Sequence, residues 1–181
     1  SYLYNVTRRS EPYVYYIVEQ VRARKLPLEL VLIPVVESAF DVYAYSPGRA
    51  AGLWQFMPAT GKHFGLAQNW WYDARRDPML STEAALDYLE QLYARFDDWL
   101  LAMAAYNAGP ARVSRAIKKN KKLDKPIDYW SLKLPEETQH YIPRILAVRE
   151  ALANVAEYGM RVFPVDDNPF FSKVFVDSQL D

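Results

Sequence analysis

Glu37, in the run Val31-Leu32-Ile33-Pro34-Val35-Val36-Glu37-Ser38-Ala39-Phe40, has the side chain and the setting for acid-base chemistry. Five apolar residues and a proline precede it, so its neighbours belong in a core rather than on a solvated surface. Burial disfavours the ionised carboxylate, and a Glu raised toward neutrality can donate a proton at physiological pH. Two roles suit such a group: general acid, or half of a buried ion pair with an arginine such as Arg49 or Arg144. This segment alone does not separate them. Asp41, four residues on, would share the same face if the helix continued. The Tyr-Ser-Pro-Gly turn that follows favours a capping or loop-fixing role for it instead.

Composition narrows the remaining chemistry. The 181 residues contain 22 acidic and 22 basic side chains, which gives no polyelectrolyte signature for nucleic acid or an anionic membrane. With no cysteine, thiolate metal sites are excluded; with only His63 and His140, a multi-histidine site is not expected, nor is any metal or cofactor. Aromatic residues make up 15%, including 14 Tyr and 5 Trp, a supply suited both to a helical core and to stacking on sugar rings. No stretch approaches the roughly 20 apolar residues that span a bilayer, and no signal peptide opens the chain, so a soluble domain is expected. Ser1 and Asp181 read as cut points in a longer protein.

The elements that must position Glu37 read as helices. Ser10 is placed as the N-cap of a helix over 11–25, with Tyr13, Val14, Ile17, Val18 and Val21 on one face. Pro27 opens a second, over 28–40, in which Pro34 either kinks the helix or takes an early-turn position. Glu37 then lies near a helix C-terminus, where the negative end of the dipole also disfavours the anion. A loop over 41–52, a short helix after Pro58 and an irregular stretch over 64–77 follow. A long helix capped by Ser81 runs to Phe96, with Ala84, Ala85, Tyr88, Leu89 and Leu92 buried. The apolar helix 99–106 is interrupted by Gly109-Pro110, and the next helix begins at Ala111. Lys118 to Lys125 reads as a solvated basic loop, and Pro135 opens a last helix to about Glu157, ended by Gly159. A short strand or packed tail is expected over 170–177.

Four segments in order carry a more specific signal: Glu37-Ser38, Gly52-Leu53-Trp54-Gln55, Ala105-Tyr106-Asn107-Ala108-Gly109, and His140-Tyr141-Ile142-Pro143. Together, over about 26–158, they resemble the catalytic domain of the soluble-lytic-transglycosylase-like (SLT) family, relatives of goose-type lysozyme. Trp54 and the run Tyr72 to Asp77 resemble its membrane-bound D subgroup. The resemblance implies a mainly α, lysozyme-like fold with at most a short C-terminal strand. It implies a catalytic domain over 1–163, with 164–181 as an extension or the start of a linker.

The implied activity is non-hydrolytic cleavage of the MurNAc-β-1,4-GlcNAc bond of peptidoglycan, leaving 1,6-anhydroMurNAc ends. Glu37 would act first as acid and then as base. A lysozyme-type hydrolase on the same fold and an inactive glycan-binding module are the alternatives. Glycosidases ordinarily use two carboxylates; one suffices if the sugar's own C6 hydroxyl attacks. By the same resemblance Ser38, Gln55, Tyr106, Asn107 and Tyr141 contact or shape the substrate site, with the Tyr141 hydroxyl next to Glu37 and donating to its carboxylate, and Tyr45, Leu53, Trp54 and Phe56 wall the groove. Each has a plainer alternative. Ser38 could bond helix backbone, Asn107 could cap a helix, and the aromatic residues could fill the core. The implied partner is the peptidoglycan glycan strand, met by a monomer in the bacterial periplasm. The implied parent protein is anchored to the outer membrane and carries flanking glycan-binding repeats.

Overall fold

The computed structural model describes residues 2–172 and 174, which form eight α-helices and three short 3-10 turns. The periodic run around Ile17 folds as α2 (Val14–Ala23), with Ile17 and Val21 fully buried. Ser10 does not cap it. Ser10 ends a preceding helix, α1 (Tyr2–Ser10), and its hydroxyl donates to the Thr7 carbonyl at 2.8 Å. Serine marks a helix start by accepting from backbone N–H groups, but it can equally donate back to the turn behind it. The N-cap position of α2 falls to Tyr13, which makes no side-chain cap.

The segment that carries Glu37 divides in two. A 3-10 turn over Leu28–Leu32 leads into α3 (Ile33–Ser38), and Pro34 sits in the first turn of α3, where a missing N–H costs nothing. The helix stops because Ala39 and Phe40 both take left-handed backbone, with φ of 50° and 57°. Their N–H groups close on the carbonyls of Val35 and Pro34 at 3.1 and 3.2 Å. Each such residue costs about 1 kcal/mol or more, a strain opposed by burial of the Phe40 ring. Glu37 is thus the penultimate residue of a short helix.

The loop after α3 folds back on itself through isolated bridges that pair Tyr45 with Ala51 and Ala51 with Phe56. Asp41 fixes its start, accepting the Tyr43 N–H at 2.9 Å. A third bridge, Gln68 with Asp73, closes a hairpin. Strand-type pairing therefore lies in these loops. Phe170–Ser172 forms no strand, and the rest of the expected strand, apart from Val174, falls outside the described residues. Arg75, almost fully buried, joins the two loops. Its guanidinium donates to the carbonyls of Arg49 and Phe56 at 2.7 and 2.9 Å and grips the Asp73 carboxylate at 2.7 Å.

The helical core is built on α6 (Trp99–Ala108), which packs against α5 (Pro78–Phe96), α7 (Pro110–Lys122) and α8 (Glu136–Ala153). Leu101 to Ala105 are all buried, and the three alanines among them let neighbouring helices approach closely. Helix α5 starts earlier than expected. Asp77 caps it, accepting from the N–H groups of Met79 and Leu80, while Ser81 is buried within the first turn. An Asp directly before Pro at the first helical position outcompetes a serine farther along. Lys118 to Lys122 is the end of α7 rather than a loop, since cations suit the negative end of the helix dipole. Helix α8 ends at Ala153, short of Glu157, and Gly159 with φ 58° turns the chain after it. The segment beyond returns to α1, where the Phe163 N–H donates to Thr7 Oγ1 at 2.7 Å.

Pro143 lies inside α8 and leaves the Gln139 carbonyl without its helical donor. The Tyr129 hydroxyl fills that place, lying 2.9 Å from the Gln139 oxygen and 2.7 Å from that of Thr138. These carbonyls in the first turns of α8 are thereby satisfied.

Gly52 is the tightest contact between the two loops. Its φ is 79°, and a Cβ there would lie only 1.9 Å from the Arg75 carbonyl oxygen. Gly52→Ala is expected to cost about 2 kcal/mol or more, from left-handed strain plus the forced shift of Arg75. Denaturant unfolding of the variant measures it.

Candidate active site

The Glu37 carboxyl is brought together with α8. The buried Tyr141 hydroxyl donates to Glu37 Oε1 at 2.7 Å. Among the described residues no Arg or Lys pairs with Glu37, so neither Arg49 nor Arg144 makes the ion pair. Desolvation lifts the Glu37 carboxyl to about 7, working against the Tyr141 hydrogen bond, which favours the anion, and reinforced by the nearby Glu137 carboxylate. Glu137 was not anticipated. Its signal was its spacing, four residues before Tyr141 in the first turn of a helix, which puts both on one face.

Tyr106 donates to the Trp54 carbonyl at 2.7 Å, and burial and the Glu37 charge hold its hydroxyl protonated. Asn107 is committed to α8: its Oδ1 accepts from Thr138 Oγ1 at 2.8 Å, and its amide reaches Glu137 Oε1 at 3.4 Å. A chain of contacts therefore runs from α3 through α8 to the end of α6.

Gln55 has left-handed backbone, φ 50°, and its amide group donates to the carbonyls of Gly52 and Ala44 at 2.9 and 3.3 Å. Among the described residues nothing donates to its carboxamide oxygen. Ser38 Oγ lies 2.9 Å from the Leu53 carbonyl and 3.1 Å from that of Pro34, stitching α3 to the loop.

Gln55, Phe56, Tyr106 and Asn107 line a cleft of about 530 Å³, together with Arg112 and Arg115 of α7. Those two arginines were also unforeseen, although a spacing of three on one helix was their signal. Glu37 does not itself line this cleft and connects to it through Glu137 and Asn107. Of the expected groove wall, only Phe56 lies on this cleft. Leu53 and Trp54 are 1% and 0% exposed and belong to the core, where the Trp54 indole N–H donates to Thr82 Oγ1 at 2.9 Å. An indole whose N–H finds a buried acceptor gains more inside than on a wall. Tyr45 stands outside the cleft, exposed, with the Arg76 guanidinium 5.9 Å from its ring centre.

Residues 15–128 match the family model described as the transglycosylase SLT domain. This chain belongs to that family. The SLT match stops before α8, so the Tyr141 contact is read from the geometry of this chain. The whole chain is 50% identical over 182 residues to the membrane-bound lytic murein transglycosylase D of Escherichia coli strain K12, of which it covers 40%. It is 31% identical over 141 residues to the soluble lytic murein transglycosylase of Salmonella typhimurium, covering 69% of this chain and 22% of that protein. Among solved structures, the fold is similar to an inactive mutant of lytic transglycosylase Slt from Pseudomonas aeruginosa. The TM-score is 0.60 at 27% identity, covering 80% of this chain and 24% of that one. The chain thus spans less than half the length of these relatives. The mainly helical SLT fold agrees with what the four motifs implied, and the likeness to the D-type enzyme with what Trp54 and the run Tyr72 to Asp77 implied.

The folded carboxyl of Glu37 holds its proton up to about 7, whereas an unfolded one releases it near 4.5. A group whose proton is bound more tightly when folded destabilises the fold as pH rises through that window. Glu37→Gln, which does not titrate, should therefore gain on the wild type by at most about 3 kcal/mol between pH 4.5 and about pH 8. Urea melts at the two pH values check this; an unchanged difference would place Glu37 at an ordinary carboxylate pKa.

Proposed function

We propose that this domain is a peptidoglycan lytic transglycosylase that cleaves the MurNAc-β-1,4-GlcNAc bond without water, and that residues 1–163 form its catalytic unit. The observation that carries the reading is the pairing of one desolvated, high-pKa carboxyl with one tyrosine hydroxyl and, among the described residues, no cation. Protonated Glu37 gives its proton to the bridging oxygen as the bond to C1 of the muramic sugar breaks. The carboxylate left behind sits beside the positive charge that develops on the ring, held by the Tyr141 hydroxyl. It then takes the proton of the sugar's C6 hydroxyl, whose oxygen closes on C1. A 1,6-anhydro end and a free C4 hydroxyl result, Glu37 is protonated again, and no atom is gained. A pKa near ambient pH suits a group that must both give and take a proton.

The remaining residues support binding. The free carbonyl of Gln55 suits an N-acetyl N–H, and Asn107 and Glu137 present polar groups between Glu37 and the cleft. Ser38 and Tyr106 act by holding the loop and its Trp54 against the helices. The likeness to membrane-bound and soluble murein transglycosylases supports the glycan strand as substrate and a periplasmic site of action. In the full protein, outer-membrane anchoring and flanking glycan-binding repeats belong to the same reading.

Glu137 supports a second reading. A carboxylate close enough to raise Glu37 could activate water and make the domain a hydrolase. Digestion of purified murein decides between them. Muropeptides one water lighter than hydrolysis products, by mass spectrometry, are expected; hydrated reducing ends alone would make the enzyme a lysozyme.

Glu37→Gln should lower turnover by about a thousandfold while the protein still sediments with murein. Because the Tyr141 hydroxyl favours the carboxylate, Tyr141→Phe should raise the Glu37 pKa further. The limb on which kcat/KM falls at alkaline pH should then move to higher pH. A limb that stays in place would show that another group is the acid.

A further inference from the structure

Trp70 and Trp71 are 88% and 90% exposed, at the tip of the hairpin that the Gln68–Asp73 bridge closes. Two adjacent indoles in water are costly surface that a chain does not keep for packing, and among the described residues neither ring meets another aromatic ring. The tip is built rather than loose. The Asn69 carboxamide oxygen accepts the N–H groups of both Trp71 and Tyr72 at 2.8 Å, and the Asn69 N–H donates to the Tyr72 carbonyl at 2.8 Å.

The base of the hairpin is tied to the cleft. Gln68 donates to the Pro58 carbonyl at 2.9 Å, at the start of α4 (Pro58–His63), and the flanking Met57 and Thr60 line the cleft. Asp73, at the other end, is locked to Arg75, which also holds the Arg49 loop that follows Glu37.

We propose that Trp70 and Trp71 form an auxiliary stacking site for pyranose rings of a glycan strand, outside the cleft and contiguous with its α4 wall. The proposal rests on the peptidoglycan reading above for the identity of that strand. Indole faces bind the apolar faces of sugar rings and demand no charge from the ligand. From Leu66 to Ala74 the only charged side chain is Asp73, already paired with Arg75, so the hairpin offers no cation to an anionic bilayer or a nucleic acid. The apolar face of a sugar ring is what this chemistry fits, whatever charge the rest of the strand carries. Such a site would hold a long strand while the cleft end is cut, and would do nothing for a short fragment.

Sedimentation with purified murein sacculi, in the non-cleaving Glu37→Gln background, tests the site. Trp70→Ala/Trp71→Ala should weaken binding about tenfold, and Trp70→Phe/Trp71→Phe, which keeps flat rings, should restore most of it. In the active background the alanine pair should raise KM on sacculi but leave turnover of short soluble muropeptide oligomers unchanged. Equal sedimentation of all variants overturns the site. So does loss of retention on phosphatidylcholine–phosphatidylglycerol vesicles with murein binding intact, which would make the hairpin a membrane contact. Release of product from sacculi by the wild type is a separate readout: its absence would sink the proposed activity, while the sedimentation series still decides whether the tryptophans bind glycan.

Discussion

A carboxyl group kept from water with a single neutral hydroxyl as its partner is the constraint around which this fold is arranged. Desolvation of Glu37 is unfavourable to its charge, and an arginine partner would have abolished the raised pKa by favouring the anion. Tyr141 offers a middle course: it orients the carboxyl and favours the anion only in part, leaving the group near neutrality. Holding that hydroxyl in place requires a rigid α8 despite its internal proline, which the Tyr129 hydroxyl makes possible by occupying the carbonyl that Pro143 strands. It also requires α3 to end where it does, on two strained left-handed residues braced by Phe40.

The loops beyond α3 are stabilised by one buried cation. Arg75 answers two carbonyls of the loop after α3 and one carboxylate of the hairpin, so its burial leaves its charge compensated. Gly52 lets the loop pass against the Arg75 backbone, and the Ser38 and Tyr106 hydroxyls tie the same loop to α3 and α6. Several polar residues in the family motifs thus spend their hydrogen bonds on architecture. The cleft's shape depends on this stitching, and its polar lining includes Gln55, Asn107, Thr60, Tyr88 and the two arginines of α7.

The helices were legible where period and punctuation agree. The apolar face of α2, the Gly109-Pro110 break and the early-turn place of Pro34 all follow from local backbone rules. Boundaries failed where two local signals competed, as when Ser10 and Ser81 read as caps although Asp77 before Pro78 capped better and Ser10 closed an earlier helix. The expected wall residues divide for another reason: Phe56 lines the cleft, while Leu53 and Trp54 are core. Leu53, Trp54, Gln55 and Phe56 are consecutive, and which of them turns inward depends on Thr82, on the strained Gln55 backbone and on Arg75, none of which a short motif contains.

What the amino-acid sequence determined by itself is the set of groups and their order: a Glu near the C-terminus of a short apolar helix, then Gln55, Asn107 and Tyr141. Those are consequences of covalent order and local backbone preference. The family resemblance had already set Tyr141 beside Glu37, but only the tertiary structure decided that no arginine joins that pair among the described residues, that Glu137 stands near it, and that Trp54 is core while Trp70 and Trp71 stand in water. The reason is that a carboxyl's proton affinity and a ring's exposure are sums over everything packed around them. Here that packing joins α3 to α8 across about a hundred residues of chain, a distance over which sequence spacing carries no information about contact.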